Sequence, residues 1–149
     1  GVLTDGGIYF SSMGESLKKF NVRDGMGVEL LHANHIKVIL LTRENSDIVK
    51  LRGKKINADK TILGIKNKKN ELIKIQNELK IEPKNIAYIG DDLNDLEIML
   101  SVGLSGTPSD GHSEIKSISD YVCHNSGGNG AFREFIELIL KHRRKNDQE

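Results

Sequence analysis

The chain has one cysteine, no tryptophan, few aromatic residues of any kind (5%), and no long apolar run. A single thiol, Cys123, cannot close an internal disulfide and has no partner at zinc-ligand spacing, so a reducing, cytoplasmic setting is expected. Within "DYVCH" it reads as a small buried hydrophobe. The shortage of aromatics argues against a surface that stacks nucleic-acid bases. Formal net charge is +1 over 149 residues, which offers no general attraction to nucleic acid or to a membrane. No stretch approaches the length that crosses a bilayer, and no secretory leader is expected. Basic residues are clustered locally instead, in "KLRGKK" (50–55), "KNKK" (66–69) and "KHRRK" (141–145). The last reads as a solvated, disordered tail behind a helix, with one domain over 1–141 and a charged tail over 142–149.

What is present is an alternation. "GIYF" and "ESLKKF", separated by "SSMG", read as a β-hairpin. "RDGMGVELLHANH" places Val28, Leu30 and Leu31 on one helical face. "IKVILLT" (36–42) is nearly continuous in apolar residues, the pattern of a strand buried on both faces. A helix capped by Asn45 or Ser46 follows, then a short strand at "TILG" and a helix carrying Leu72, Ile75 and Leu79. "NIAYIG", "GLSG" and "DYVCH" read as further strands, each followed by a helix. Strand and helix in turn predict an α/β fold, a Rossmann-like parallel sheet with helices on both faces, and such sheets bind ligands beyond the carboxyl ends of their strands.

Polar residues at strand ends are therefore the candidates. "VILLT" ends in Thr42, the turn after "TILG" leads to Lys68, and "IAYIGDDLND" places Asp91, Asp92, Asn94 and Asp95 directly after a strand. Each has an ordinary alternative: a strand terminus, a solvated helix start, an N-cap. Three carboxylates within five positions are harder to explain as capping, because they repel one another unless a cation neutralises them. Hard oxygen ligands with room for water and phosphate suit Mg²⁺. A metal, a lysine and a hydroxyl together point to phosphoryl chemistry. A nucleophile is not evident among the serines, Cys123 or the five histidines. His32 and His35 read as surface or capping residues.

In order along the chain, "GVLTDGGIYF", "KKFNVRDGMG", "ILLTREN", "KNKK", "AYIGDDLNDLEIM", "VGLSG" and "GGNGAFRE" resemble the haloacid dehalogenase superfamily, specifically its small, capless sugar-acid phosphatases. These include octulosonate 8-phosphate phosphatases, the nine-carbon ulosonate 9-phosphate phosphatases, and the phosphatase-like module of acylneuraminate cytidylyltransferase. The resemblance implies an Asp-x-Asp pair on a strand immediately before Gly1, outside this chain. Its first aspartate would form an aspartyl phosphate and its second would protonate the leaving oxygen; without the pair, the chain as given is expected to be inactive. The resemblance further implies that Asp91, Asp92 and Asp95 serve Mg²⁺, that Thr42 with Arg43 and Lys68 holds phosphate, and that a hairpin flap over Gly7 to Phe20 replaces a cap domain. Four such flaps would meet in a homotetramer.

For the substrate, Glu44, Arg52 and Lys55 match positions where nine-carbon ulosonate phosphatases carry Glu, Arg and Lys, whereas octulosonate phosphatases tend to carry Arg at the first. Arg52 would pair with the sugar carboxylate, and a tight turn at "GGNG" would bring Arg133 near the site. Arg43 stands where such relatives usually have Gly. The expected activity is Mg²⁺-dependent hydrolysis of an acidic keto sugar phosphate, nine-carbon favoured and eight-carbon next. The alternative is a non-catalytic oligomerisation module of a cytidylyltransferase.

Overall fold

A computed structural model describes residues 1–147 and shows how far the alternation holds. A hairpin of β1 (Tyr9–Ser11) and β2 (Gly14–Leu17) leads into α1 (Val22–Ala33). Then follow β3 (Ile39–Leu41), α2 (Asp47–Lys55), β4 (Lys60–Ile62), α3 (Lys68–Leu79) and β5 (Ala87–Ile89). The chain continues through α4 (Leu96–Ser101), β6 (Leu104–Thr107), α5 (Ser113–Ile118), β7 (Tyr121–Val122) and α6 (Ala131–Asp147). Caps explain several starts: the side chains of Asn21, Ser46 and Asn67 accept from backbone N–H groups in the first turns of α1, α2 and α3.

Beyond the hairpin, where Thr4 and Phe20 add one isolated antiparallel bridge, all ladders are parallel, but they form two groups rather than one sheet. β3 pairs with β4, and β6 lies between β5 and β7. Between β3 and β5 lies a cavity of about 1230 Å³, lined by residues of both strands and by Phe132, Ile136 and Ile139 of α6. This corrects the strand expected over 36–42, which is reduced to Ile39–Leu41 with half-buried side chains. Only its β4 side is laddered, and its other edge faces the cavity.

The strands nevertheless have two covered faces. Leu40 and Ile89 pack with Val28 and Leu31 of α1 and with Phe132, Ile136 and Leu140 of α6. Leu41 and Tyr88 pack on the opposite side with Leu72 of α3, Ile98 and Met99 of α4 and Ile115 of α5. Neighbours in sequence thus face opposite helical layers, as the pleat requires. α1 and α6 approach closely enough that a Cβ on Gly27 would lie 2.6 Å from Ile136 Cδ1. Buried Asp24 ties their ends together, its Oδ1 accepting from the Arg133 N–H at 3.0 Å.

The basic run at 141–145 is a correction as well. α6 continues through it to Asp147 rather than ending in a disordered tail; residues 148 and 149 lie outside the described residues. Nothing in the run breaks a helix, and Arg143 donates to the Asn34 carbonyl just past the end of α1 at 2.7 Å, a favourable place for a cation.

The hairpin forms as expected. Ser11 opposes Gly14 across a two-residue loop, and Gly14 takes φ +106°, a conformation that other residues rarely adopt. Its aromatic pair is exposed, Tyr9 at 64% and Phe10 at 74%.

Candidate active site

β3 and β5 both end at the same mouth of the cavity. β5 runs out through Gly90 into Asp91 and Asp92, and the chain then folds so that Asp95, 1% exposed, lies beneath the loop it belongs to. Asp95 Oδ2 accepts from the backbone N–H groups of Asp91 and Asp92 at 2.9 and 3.2 Å. Its Oδ1 accepts from Lys68 Nζ at 2.6 Å and from Tyr88 Oη at 2.5 Å. A Cβ on Gly90 would lie 2.6 Å from Asp95 Cβ and Cγ, so the fold-back requires glycine there. Burial alone would raise the Asp95 pKa. The adjacent Lys68 ammonium, with the hydrogen bonds from Lys68, Tyr88 and the backbone, outweighs it and holds the carboxyl below the usual range. Tyr88 is pushed well above the ordinary phenol value by burial and by the Asp95 charge, so it remains a donor.

This geometry separates the three carboxylates that were expected to gather around one cation. Asp95 faces inward with both oxygens fully engaged. Asp92 is exposed, one oxygen accepting from Leu93 N–H at 2.7 Å. Asp91 lines the cavity. Among the described residues, no group of three or more His, Cys, Asp and Glu side chains is arranged to hold a metal ion. Asp91 still offers a hard carboxylate oxygen at a strand end beside the cavity. A hydrated divalent ion that takes further ligands from a phosphate fits such a place.

Thr42 and Lys68 line the same cavity. Thr42 directly follows β3, its N–H donating to the Ile62 carbonyl at 3.1 Å and its Oγ1 accepting from Glu44 N–H at 3.2 Å. The hydroxyl proton stays available for an anion. Lys68 is the first residue of α3, so its ammonium and the positive end of that helix act together. Arg43 is exposed at the rim. A hydroxyl, an ammonium and a carboxylate from three separate strand–helix units thus converge on one opening.

Of the residues expected to read the substrate, Glu44 and Arg52 border the cavity. Glu44 pairs with Lys18 at 2.6 Å. Arg52 donates to the Asn21 carbonyl at 3.0 Å and lies 5.1 Å from the centroid of the Phe20 ring. Lys55 and Arg133 do not line it. Lys55 is exposed at the end of α2. Arg133 pairs with Glu137 at 2.9 Å and donates to the Arg23 carbonyl at 3.3 Å, along the α1–α6 seam. What "GGNG" brings close is the backbone of the opening loop, for Gly128 donates its N–H to the Val2 carbonyl at 2.9 Å. His32 pairs with Asp59 at 2.8 Å, outside the cavity lining.

Two residues went unnoticed in the sequence. Tyr88 had a signal, an aromatic ring with a polar tip in an otherwise aliphatic strand. Lys18, which lines the cavity from the hairpin, had none, because nothing distinguishes it from Lys19 before the chain folds.

A family model for haloacid dehalogenase-like hydrolases matches residues 29–135. The chain is 39% identical over 148 residues to 3-deoxy-D-manno-octulosonate 8-phosphate phosphatase KdsC of Salmonella typhi, covering 99% of this chain and 79% of that one. The crystal structure of 3-deoxy-D-manno-octulosonate 8-phosphate phosphatase from Yersinia pestis superposes with a TM-score of 0.93 at 36% identity, over 97% of this chain and 78% of that chain. The phosphatase of that name from Moraxella catarrhalis, solved with a magnesium ion, a phosphate ion and KDO, gives 0.90 at 38% identity, over 95% of this chain and 81% of that chain.

Proposed function

Because the chain belongs to the haloacid dehalogenase-like hydrolases, we propose that it is the body of a Mg²⁺-dependent phosphatase that releases phosphate from an acidic keto sugar. The observation that carries this reading is the convergence of Thr42, Lys68 and Asp91 on one cavity at the carboxyl ends of β3 and β5. 3-Deoxy-D-manno-octulosonate 8-phosphate is the first candidate substrate, supported by the names of the relatives. A nine-carbon ulosonate 9-phosphate is the second, supported by Glu44 and Arg52 at the cavity but not by Lys55, which lies away from it.

The Thr42 hydroxyl and the Arg43 N–H hold two non-bridging oxygens, and Lys68, kept in place by Asp95, offsets the charge of the transferred group. Asp91, with Asp92 in reach, would hold Mg²⁺, which supplies charge neutralisation on the phosphoryl oxygens. The attacking group is an Asp-x-Asp pair on an extended segment ahead of Gly1, lying in the cavity between β3 and β5. Residues two apart on an extended segment face the same side, so one carboxylate attacks phosphorus while the other protonates the leaving sugar oxygen and then activates water. The apolar lining from α6 and the unpaired edges of β3 and β5 support that placement.

The exposed side chains of the hairpin, Ile8, Tyr9, Phe10, Met13 and Leu17, support a homotetramer in which flaps cover one another. The test of function is phosphate release by the protein extended through an Asp-x-Asp pair. Release is expected with Mg²⁺ and is abolished by Asp91→Asn. Turnover indifferent to that change sinks the assignment. No release by the extended protein favours the non-catalytic module.

A further inference from the structure

Resting on the phosphatase reading, we propose that Asp110 is a positioning residue for the acid that protonates the leaving sugar oxygen. It acts by fixing the opening segment, residues 1–5, against the loop that follows β5. Asp110 lies between β6 and α5, in a loop over 108–112. Its Oδ1 accepts from the Gly127 N–H at 2.9 Å, and the adjacent Ser109 N–H donates to the Asn125 carbonyl at 3.0 Å. The glycine turn at 127–130 is thereby held, and it meets the opening segment backbone to backbone. Gly128 N–H donates to the Val2 carbonyl at 2.9 Å. A Cβ on Gly127 would collide with the Gly1 carbonyl oxygen, and one on Gly128 with the Asp5 nitrogen. With no side chain between them, a shift of the turn passes directly to residues 1–5.

The far end of the same loop grips the carboxylate side of the site, where His112 N–H donates to the Asp91 carbonyl at 2.8 Å. The loop between these grips is stiff. Pro108 is fully buried, the Gly111 N–H closes a turn onto the Pro108 carbonyl at 3.0 Å, and a Cβ on Gly111 would run into Thr107 Oγ1. The hydrogen bonds from His112, Ser109 and Gly128 all come from the backbone, so the Asp110 carboxylate is the link that a substitution can cut. Asp110 does not line the cavity, so cutting the link removes no contact with a bound substrate. On the phosphatase reading the acid stands directly before Gly1. As the bond between phosphorus and the sugar oxygen breaks, its electron pair stays on that oxygen, which takes the acid's proton and departs as an alcohol. A nitrophenolate departs as a stable anion and needs no proton. A displaced acid therefore slows release of the most basic leaving group most.

The test compares Asp110→Ala, Asp110→Asn and Asp24→Ala in the extended protein on three phosphates: 3-deoxy-D-manno-octulosonate 8-phosphate, phenyl phosphate and 4-nitrophenyl phosphate. For Asp110→Ala, kcat/KM on the sugar phosphate is expected to fall relative to 4-nitrophenyl phosphate by about tenfold, as for loss of a hydrogen bond to a charged acceptor, with phenyl phosphate between them. Asp110→Asn keeps an acceptor oxygen and is expected to recover part of the ratio. Asp24→Ala weakens the α1–α6 seam and is expected to leave the ratio unchanged, since loss of folded protein lowers all three rates alike. Hydrogen exchange of the same proteins is expected to show the Gly128 amide, bound to Val2, less protected in Asp110→Ala. An unchanged ratio or unchanged Gly128 protection in Asp110→Ala, or an equal fall in the ratio for Asp24→Ala, overturns the proposal. A fall confined to the sugar phosphate, with the two aryl phosphates equal, overturns it in favour of sugar recognition. No phosphate release from any of the three by the unsubstituted protein overturns the phosphatase reading, and this inference with it, whatever the Gly128 amide does.

Discussion

Asp95→Asn is a change of one atom with a large expected cost. Both carboxylate oxygens of Asp95 accept twice, from Lys68 and Tyr88 on one side and from the N–H groups of Asp91 and Asp92 on the other. An amide has one oxygen and one NH₂. Whichever way it turns, its NH₂ faces two donors. The substitution also removes the counter-charge of Lys68, whose side chain is only 11% exposed. Breaking a buried pair by removing one partner costs about 3–5 kcal/mol. With a urea dependence of about 1–3 kcal/mol per molar, the unfolding midpoint falls by roughly 2 M. The assay is urea unfolding of the extended protein, with Lys68→Met combined with Asp95→Asn as the diagnostic partner. Removing the stranded ammonium relieves part of the loss, so the double variant is expected to be more stable than Asp95→Asn alone. A midpoint for Asp95→Asn within about 0.3 M of the parent refutes the reasoning, since that is under 1 kcal/mol at the same urea dependence.

Gly90→Ala forces a Cβ into the Asp95 side chain and is expected to lower stability by about 1–3 kcal/mol, measured by the same unfolding. Asp24→Ala strands the buried Arg133 N–H and is expected to cost about 1–3 kcal/mol. Asp24→Asn costs less, because it keeps an acceptor and removes a carboxylate whose pKa burial raises. The pH dependence follows from Asp59, Asp95 and Glu134, all held below their ordinary values because hydrogen bonds and nearby positive charge outweigh burial. Depressed carboxylates stabilise fully above their unfolded pKa, so the urea midpoint is expected to hold from neutral pH down to the ordinary carboxylate range and to fall below it. Glu134→Gln lowers stability at neutral pH and makes that acid loss shallower. Phe10→Asp, on the exposed hairpin, is expected to dissociate the proposed homotetramer in sedimentation; an unchanged mass, or a monomeric parent, removes the flap from any such interface.

The parts of the site that were legible in the sequence are those set by position along the chain. Thr42, Lys68 and Asp91 each stand at the end of a strand or the start of a helix, and alternation alone aims such places at a common crevice. What was not legible depends on side-chain direction. Asp95 reads as a ligand because it lies four residues after Asp91, yet the tight turn through Gly90 points it beneath the loop. Lys55 and Arg133 sit near the site in sequence logic, but the register of α2 and the seam of α1 against α6 aim them elsewhere. Lys18 enters the cavity only because the hairpin folds over Glu44, a pairing across 26 residues that no local pattern encodes.

On the proposed reading, the cavity between β3 and β5 is where the remaining chemistry enters, in the middle of the sheet. In a parallel ladder, alternate backbone groups of each strand point away from its partner. Those of β3 and β5 point toward one another across a space with an apolar floor, where unmet N–H and C=O groups are costly. An extended segment running parallel to both would satisfy them and would bury its own side chains against the cluster that holds Leu40, Ile89, Phe132 and Ile136. Its carboxyl end would then emerge between Thr42 and Asp91, within reach of both the proposed phosphate seat and the proposed cation seat. On the proposed reading, the strand that would complete the sheet and the strand that would bear the nucleophile are the same strand. A substitution that weakens its packing, such as Ile136→Ala, should lower stability and turnover together, whereas Asp91→Asn should lower turnover and leave the urea midpoint nearly unmoved.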